Sequence, residues 1–126
     1  MARVLIVDDN PTNLKLVAYL VKAQGYDVDT AADADTARAA IAAAKPTVIL
    51  MDLQLPGVDG LALTRELKDA AATRDIAIIA VTAYAMKGDR ERALEAGCDE
   101  YVSKPIDTRA LPGVIARQIA RVEGRT

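Results

Sequence analysis

The sequence predicts an α/β protein of the flavodoxin-like, doubly wound (βα)5 type, with five parallel strands in the order 2-1-3-4-5. Apolar segments alternate with helix-type patterns five times along the chain, which favours right-handed crossovers and a parallel sheet. The first, third and fourth segments are apolar throughout, as in strands buried on both faces, whereas the other two are weaker, as at sheet edges. No linker or repeat interrupts this pattern, so residues 1–126 are predicted to form one domain, with a core at about 2–122 and a polar tail at 123–126.

The first strand, helix and edge strand have clear boundaries. The segment 3–7, "RVLIV", is a continuous apolar run. Asn10 followed by Pro11 supplies an N-cap and a first-turn proline for the first helix. Apolar residues then recur at helical spacing until Gly25, a typical C-terminal stop. The segment 26–31 alternates apolar and polar residues, which predicts an edge strand.

The middle of the chain continues the alternation of strands and helices. An alanine-rich helix is predicted at 34–44, where a lysine–proline pair stops it. The apolar run 47–51 is the third strand, and a proline- and glycine-containing loop follows it. A third helix is predicted at 61–69 and a fourth strand at 76–81.

The end of the chain holds two further helices and a short strand. A helix of roughly ten residues closes at Gly97, and the strand 100–103 follows it. The last helix is predicted from about Asp107, but Pro112 and Gly113 lie early in it. Because proline removes an intrahelical hydrogen bond, a late start or a kink is expected there.

Composition excludes several classes of function. The chain has no histidine, so it cannot form a Ser-His-Asp triad, an HExxH zinc site or a phosphohistidine. A net charge of −2 without Trp or Phe argues against direct nucleic-acid binding. No apolar run approaches the ~20 residues of a membrane span, and the first residues do not resemble a signal peptide. The single cysteine, Cys98, permits no internal disulfide; we interpret it as a small loop residue without a redox role, in a cytoplasmic protein.

Polar side chains follow four of the five predicted strands at the same end of the sheet. Asp8 and Asp9 follow the first strand, Asp52 the third, Thr82 the fourth and Lys104 the fifth. Each alone has an ordinary interpretation, such as a helix cap, a strand-end hydroxyl or a surface charge. Ligands of such sheets bind at the carboxyl ends of the strands, near the switch point between strands 1 and 3. The convergence of five polar residues there predicts a functional site.

The charges of this group indicate its chemistry. Unit charges ~4–5 Å apart repel by roughly 3–4 kcal/mol at an effective dielectric of ~20, so the three carboxylates need a positive partner. Oxygen ligands without histidine or thiolate favour Mg²⁺, with Mn²⁺ as an alternative. Lys104 could neutralise a phosphate oxygen, and Thr82 could donate a hydrogen bond to one. An aspartate can act as a nucleophile and form an aspartyl-phosphate, and Asp52, between the other groups in strand order, is the candidate.

At these residues the chain resembles the receiver domain of two-component response regulators. The matching segments are "LIVDDN", "ILMDLQLPGVDG", "VTAYA" and "YVSKPI", which cover nearly the whole chain in order. The stretches "AQGY", "VTAYAMKGD" and "GCDEYVSKPI" are most similar to single-domain regulators of the DivK type.

The resemblance implies a phosphoryl site and a metal site. Asp52 would accept a phosphoryl group from a phosphohistidine on a partner histidine kinase or histidine phosphotransferase. Asp9 and Asp52 would ligate Mg²⁺ directly, with the backbone carbonyl of Gln54, and Asp8 would act through water. Lys104 would contact the phosphoryl group.

The resemblance also implies a switch. Thr82 would move to hydrogen-bond the phosphoryl group while Tyr101 rotates inward, which would change a face formed by helix 4, strand 5 and helix 5 for a downstream partner. Gln54 and Tyr84 occupy positions that tune the lifetime of the phosphorylated state; Tyr84 could hinder the attacking water or simply pack on the surface. The peptide bond before Pro105 would be cis.

Three other interpretations compete with this one. A haloacid-dehalogenase-type phosphatase also uses a nucleophilic aspartate, but it needs a second acid where Gln54 stands. A flavodoxin would need a hydroxyl- or glycine-rich phosphate loop and flanking aromatic residues, which the sequence lacks. A receiver excised from a hybrid kinase or multidomain regulator would look identical, although Met1 and the short tail favour a complete chain. The favoured function is a phosphorylation-switched binding module that assists its own phosphorylation and hydrolysis, not an ordinary enzyme.

Overall fold

The computed structural model describes residues 2–54, 60–82 and 88–124. The strands within these ranges are β1 (Arg3–Val7), β2 (Asp27–Ala31), β3 (Val48–Asp52), β4 (Ala77–Thr82) and β5 (Glu100–Ser103). The helices are α1 (Pro11–Lys22), α2 (Ala34–Ala43), α3 (Gly60–Asp69), α4 (Asp89–Ala96) and α5 (Leu111–Val122). The strands are all parallel and form one sheet in the order β2-β1-β3-β4-β5, which confirms the predicted fold class.

The helices cover both faces of the sheet because successive strand residues point to opposite sides. On one face the strand side chains pack against α1 and α5, and on the other they pack against α2, α3 and α4. The first core contains Val4, Ile6, Val48, Leu50, Ile79, Val17, Val21, Ile115 and Ile119. The second contains Leu5, Val7, Ile49, Met51, Ile78, Ala37, Ile41, Leu63 and Leu67.

The strand register sets the position of the polar strand ends. Asp52 pairs with Val81, and Thr82 pairs with Ser103, so these two polar residues belong to the sheet itself. The sequence placed them just after strands that end one residue earlier. Because the sheet continues through them, both side chains are buried.

The first helix begins with the cap that the sequence predicts. The side chain of Asn10 accepts hydrogen bonds from the backbone N–H groups of Thr12 and Asn13, at 2.9 and 3.3 Å, and Pro11 is the first helical residue. Since Asn10 caps the helix, the alternative interpretation of Asp9 as the cap does not hold.

The last helix starts late, as the position of its proline predicts. Asp107 accepts from the backbone N–H groups of Arg109 and Ala110 in a separate turn, and α5 begins only at Leu111. Pro112 therefore lies in the first turn, where a backbone N–H has no intrahelical partner and its loss costs little.

The strands and the second and third helices begin and end within one residue of the predicted positions. α4 has eight residues where roughly ten were expected, and its C-cap is the predicted stop, Gly97, whose φ of 110° places it in the left-handed region. Within the described ranges, no helix has the length and apolar character needed to cross a membrane.

Candidate functional site

Three carboxylates meet at the carboxyl end of the sheet. Asp8, Asp9 and Asp52 each place one carboxylate oxygen within 4.8 Å of the others. Asp8 and Asp52 are 5% and 2% exposed, whereas Asp9 is exposed. The two adjacent aspartates therefore differ, because the side chain of Asp8 is buried and that of Asp9 faces solvent. We call these three residues the carboxylate cluster.

Backbone groups hold the two buried carboxylates in place. The N–H of Asp8 donates to the carbonyl of Ala31 at 3.0 Å, which extends the pairing of β1 with β2 by one residue. Asp8 Oδ1 accepts from the N–H of Asn10 at 2.9 Å, and Asp52 Oδ1 accepts from the N–H of Gln54 at 2.9 Å. In each of these two carboxylates, one oxygen is thus held by the backbone N–H of the residue two positions later, in the loop after the strand.

Lys104 is the cation that faces this cluster. Its Nζ lies 3.1 Å from Asp52 Oδ2 and 3.6 Å from Asp8 Oδ2, and its backbone N–H donates to the carbonyl of Thr82 at 2.8 Å. Burial acts to lower the pKa of Lys104, but the hydrogen bond and negative charge of Asp52, together with Asp8, outweigh burial and raise that pKa. The ammonium group is therefore fully charged at neutral pH.

Among the described residues, the one ammonium of Lys104 faces three carboxylates. The pKa of Asp8 is raised, first by burial and then by the charge of Asp52, while the Asn10 N–H and Lys104 act in the opposite direction. The raised pKa of Asp8 therefore reflects its burial first and its repulsion from Asp52 second.

The donor set fits a hard divalent cation. The cluster offers carboxylate oxygens only, without imidazole or thiolate, and the oxygens lie close enough to share one ion. Mg²⁺ or Mn²⁺ suits these residues, and the magnesium preference that the sequence indicates agrees with the geometry.

Thr82 and Gln54 are joined by a contact that sequence reasoning missed. Thr82 is 3% exposed, and its Oγ1 accepts a hydrogen bond from Gln54 Nε2 at 3.2 Å. From the sequence, Gln54 is predicted to act through its backbone carbonyl and through its position two residues after Asp52. The two residues are 28 positions apart in sequence, and no local pattern indicates their contact.

Gly60 is a second residue that the sequence reasoning missed. A Cβ at this position would lie 2.6 Å from the carbonyl oxygen of Asp52 and 2.7 Å from Leu53 Cα. The glycine therefore lets α3 begin directly against the backbone that carries Asp52. A glycine at the first position of a helical pattern was the available signal, because glycine often marks close backbone approach.

The other predicted site residues lie around this core. Tyr101 is half-buried, packs against the core on the side of α2, α3 and α4, and pairs in the sheet with Ala80. The Lys104–Pro105 peptide bond is cis, the isomer that the sequence resemblance implies. Tyr84 lies outside the described residues.

Cys98 is separate from the site. Its thiol is buried, and its Sγ lies 3.9 Å from the hydroxyl of Thr64. Burial raises the pKa of Cys98 to about 11, so the thiol is protonated at neutral pH. This environment agrees with the interpretation of Cys98 as a packing residue.

The sequence matches a known family over most of its length. Residues 4–116 match the response regulator receiver domain. The chain is 48% identical over 103 residues to the polar-differentiation response regulator DivK of Brucella anthropi, covering 82% of this chain and 84% of that protein. It is 42% identical over 106 residues to the response regulator PleD of Caulobacter vibrioides, covering 84% of this chain but 23% of PleD.

A solved structure supports the same assignment. The receiver domain of a Pseudomonas aeruginosa sensor histidine kinase, which has a magnesium ion coordinated in its active-site cleft, is 36% identical with a TM-score of 0.85. The alignment covers 94% of this chain and 98% of that domain. Sequence, topology and the clustered strand-end residues agree, and the chain belongs to the response regulator receiver domain family.

Proposed function

We propose that this receiver domain is a phosphorylation-switched binding module in which Asp52 accepts a phosphoryl group from a phosphohistidine on a partner histidine kinase or histidine phosphotransferase. One observation carries the proposal: the buried Asp52 lies within 4.8 Å of two other carboxylates and 3.1 Å from the ammonium of Lys104. Such a site holds a nucleophile, the ligands for a cation and a positive group for phosphoryl oxygens.

The transfer itself requires little covalent chemistry from the protein. A carboxylate oxygen of Asp52 forms a bond to phosphorus, while the bond from phosphorus to the donor nitrogen breaks and its electron pair returns to the imidazole. The backbone N–H of Gln54 orients the carboxylate through Oδ1, and Lys104 contacts Oδ2, where it can also meet an incoming phosphoryl oxygen.

The residues for the metal follow from the cluster. Asp9, Asp52 and the backbone carbonyl of Gln54 would hold Mg²⁺ or Mn²⁺ directly, and Asp8 would act through water. When bound, the ion would offset the negative charge of the carboxylates and of the phosphoryl oxygens. Lys104 contacts both buried carboxylates, at 3.6 Å from Asp8 Oδ2 and 3.1 Å from Asp52 Oδ2.

Receiver domains are phosphoacceptor switches rather than ordinary enzymes, and we assign this chain the same behaviour. We further propose that Lys104 and Thr82 promote both the phosphorylation of Asp52 and the hydrolysis of the product. Lys104 follows β5 and contacts Asp52, and Thr82 is the last residue of β4, next to the residue that pairs with Asp52 in the sheet.

The output would pass through the face formed by α4, β5 and α5. Thr82 and Tyr101 are the proposed switch residues, and Gln54 and Tyr84 the proposed lifetime-tuning residues. The face is connected internally, because Arg117 and Gln118 of α5 both donate to Glu100 at the start of β5. A shift of β5 near Tyr101 would therefore be transmitted to α5.

The surface of α1 is the proposed docking site for the phosphodonor. Leu16 and Tyr19 are 47% and 72% exposed, and Leu16 lines a groove with Lys104, Pro105 and Ile106. A partner that packs on these apolar side chains would lie beside Lys104, which contacts Asp52. Direct nucleic-acid binding and membrane association are not part of the proposal, and a cytoplasmic location stays a prediction.

We propose that residues 1–126 form one receiver domain with the role of a DivK-type regulator, which the 48% identity to DivK supports. The alternative is that the same domain belongs to a longer regulator. The likeness to PleD supports this alternative, because the chain spans 23% of that protein. Both possibilities use the same phosphoacceptor.

The test is phosphorylation by a small donor. The protein is incubated with acetyl phosphate and Mg²⁺, and its intact mass is measured. We expect the mass gain of one phosphoryl group, which Asp52→Asn and metal chelation abolish and which Asp69→Asn, an exposed aspartate of α3, preserves. If neither acetyl phosphate nor any histidine kinase produces this gain, the proposed function is wrong.

A further inference from the structure

Gln54 contacts two different groups of the site at once. Its backbone N–H donates to Asp52 Oδ1 at 2.9 Å, and its side-chain Nε2 donates to Thr82 Oγ1 at 3.2 Å. Gln54 is half-buried, and both of its partners are almost completely buried. One residue thus connects the end of β3 with the end of β4 on the site side of the sheet.

The direction of the side-chain hydrogen bond matters for Thr82. A hydroxyl group has one donor hydrogen and two acceptor lone pairs. Because the amide of Gln54 donates to the hydroxyl oxygen, it occupies a lone pair, and the hydrogen of Thr82 points away from Gln54. The amide therefore favours an orientation in which Thr82 acts as a donor toward another group.

The backbone of Thr82 is fixed independently of Gln54. Thr82 pairs with Ser103 in the sheet, and its carbonyl accepts from the N–H of Lys104 at 2.8 Å. The sheet thus sets where the residue lies, whereas the orientation of its hydroxyl depends on side-chain contacts. Gln54 supplies one of those contacts from the strand that carries the nucleophile.

We propose that Gln54 is a positioning residue that orients the hydroxyl of Thr82 as a donor toward a phosphoryl group on Asp52. The inference deepens the proposed function and rests on it, since it needs Asp52 to be the phosphoacceptor. It assigns the Gln54 side chain a role that acts through Thr82, distinct from the role of its backbone carbonyl at the metal.

A double-mutant cycle tests this role. Gln54→Met removes the amide but keeps the length of the side chain, and it is compared in the native and Thr82→Ala backgrounds. The measurements are the rate of phosphoryl gain from acetyl phosphate and the half-life of the phosphorylated protein after donor removal. Gln24→Met, at an exposed glutamine beyond the end of α1, is the matched control.

The proposal expects an effect that depends on Thr82. Gln54→Met should slow phosphoryl gain roughly fivefold in the native background, the scale of one neutral hydrogen bond, and less than about twofold in the Thr82→Ala background. Equal effects in both backgrounds would show that Gln54 acts directly, for example on the attacking water, and would overturn the proposal. The absence of an effect in the native background would also overturn it.

A second measurement needs no phosphorylation. In the NMR spectrum of the unphosphorylated protein, the side-chain amide signals of Gln54 should shift in Thr82→Ala, while those of Gln24 stay in place. If the native protein never gains a phosphoryl group, the proposed function fails, and the hydrogen bond is judged by these signals alone. Unchanged Gln54 signals would overturn the positioning role whether or not the protein is phosphorylated.

Discussion

Two charged clusters lie at opposite ends of the same sheet, and they differ in the ratio of carboxylates to cations. At the carboxyl end, within the part of the chain that the structure describes, three carboxylates face one ammonium, that of Lys104. At the amino-terminal end of β4 and β5, a single carboxylate, Asp99, contacts two cations, Lys68 and Arg121. The side chains of Lys68 and Lys104 are both 18% exposed, so the burial of the lysine does not distinguish the two clusters.

The second group, which we call the Asp99 cluster (Lys68, Asp99 and Arg121), is complete without a ligand. Asp99 Oδ2 accepts from the N–H of Ile78 at 2.8 Å and from Lys68 at 2.9 Å, while Oδ1 lies 2.9 Å from Arg121. Lys68 also donates to the carbonyl of Ile76 at 2.7 Å. Each charge has its partners within the chain, as buried ion pairs require.

In the carboxylate cluster the described carboxylates instead outnumber the cation that contacts them, and this difference separates a structural role from a functional one. Burial first, and then the negative charge of Asp52, raise the pKa of Asp8, so keeping this carboxylate ionised in the folded protein costs free energy. We therefore expect substitutions in the Asp99 cluster to lower stability and leave phosphorylation intact, and substitutions in the carboxylate cluster to do the reverse.

The largest expected effect on stability is that of Asp99→Asn. The amide can still accept from the N–H of Ile78, but Lys68 and Arg121 lose their counter-charge, and Lys68 is mostly buried. The free energy of unfolding should fall by about 2–3 kcal/mol, at or below the roughly 3–5 kcal/mol for breaking a fully buried ion pair, because the group is partly exposed. Urea denaturation measures the loss, and phosphoryl gain from acetyl phosphate should be unchanged.

The control for this variant is Asp69→Asn, which removes an exposed carboxylate from α3. Its stability should change by less than about 0.5 kcal/mol, as for most surface substitutions. Equal effects of the two substitutions would mean that the Asp99 cluster contributes nothing beyond ordinary surface charge, and the contrast between the two ends of the sheet would be lost.

The second prediction concerns the backbone behind the nucleophile. In Gly60→Ala the new Cβ meets the carbonyl oxygen of Asp52, which lies in the sheet and cannot move freely. We expect stability to fall by about 1–3 kcal/mol, as for other overpacked sites, and the rate of phosphoryl gain to fall as well because Asp52 and Gln54 are displaced. Thermal unfolding and intact-mass kinetics measure the two effects.

Gly113→Ala is the matched control for this substitution. Gly113 lies in α5, and a Cβ there has no atom within 4 Å. Alanine should therefore stabilise the protein by roughly 0.5–1 kcal/mol through its helix propensity, without changing phosphorylation. A Gly60→Ala protein with native stability and native rates would show that the close approach at Asp52 is unimportant.

The sequence predicted those parts of the fold and site that depend on local pattern. The apolar runs located the strands, Asn10 and Pro11 located the start of α1, and the position of Pro112 predicted the late start of α5. The convergence of strand-end residues followed from topology, because the carboxyl ends of parallel strands lie at one edge.

The parts that the sequence did not predict depend on contacts between distant positions. Adjacent aspartates look alike in sequence, yet Asp8 is buried because β1 extends to it, while Asp9 is exposed. The contact of Gln54 with Thr82 and the close approach of Gly60 to Asp52 require the packing of β3 against its neighbours. Periodicity contains no information about such contacts.

The third prediction tests the charge excess directly. Mg²⁺ should raise the melting temperature of the native protein, since a ligand at ten times its dissociation constant stabilises by about 1.4 kcal/mol. Asp9→Ala should abolish this response and raise the metal-free stability slightly, by less than about 1 kcal/mol, because the removed charge faces solvent. Thermal unfolding with Mg²⁺ and with EDTA gives both values.

A lower metal-free stability of the Asp9→Ala variant would contradict the proposed repulsion among the three carboxylates. Loss of a helix cap could not explain such a result, because Asn10 rather than Asp9 caps α1.

The smallest expected effect on stability comes from the ion pair of Arg38 with Glu66, which has one charge of each sign but is exposed. Arg38 donates two hydrogen bonds to Glu66 at 2.8 and 2.9 Å, and the Glu66 side chain is 50% exposed. The hydrogen bond from Arg38 lowers the pKa of Glu66 below its ordinary value of 4.5, with burial acting in the opposite direction. Because the folded-state pKa is the lower one, the carboxylate stabilises the fold above the unfolded-state pKa, and this contribution is lost as the pH falls through the folded-state pKa.

Glu66→Gln should therefore lower the free energy of unfolding at pH 7 by on the order of 0.5 kcal/mol, after allowance for solvent screening. The difference from the native protein should shrink as the pH falls below about 4.5, where the unfolded chain begins to bind a proton at this position. Urea denaturation of both proteins across this pH range measures it. If Glu66→Gln lowered the free energy of unfolding as much as Asp99→Asn, charge pairing alone would set the strength of these contacts. A smaller loss would show that the burial of Lys68 and Asp99 gives their cluster its structural role.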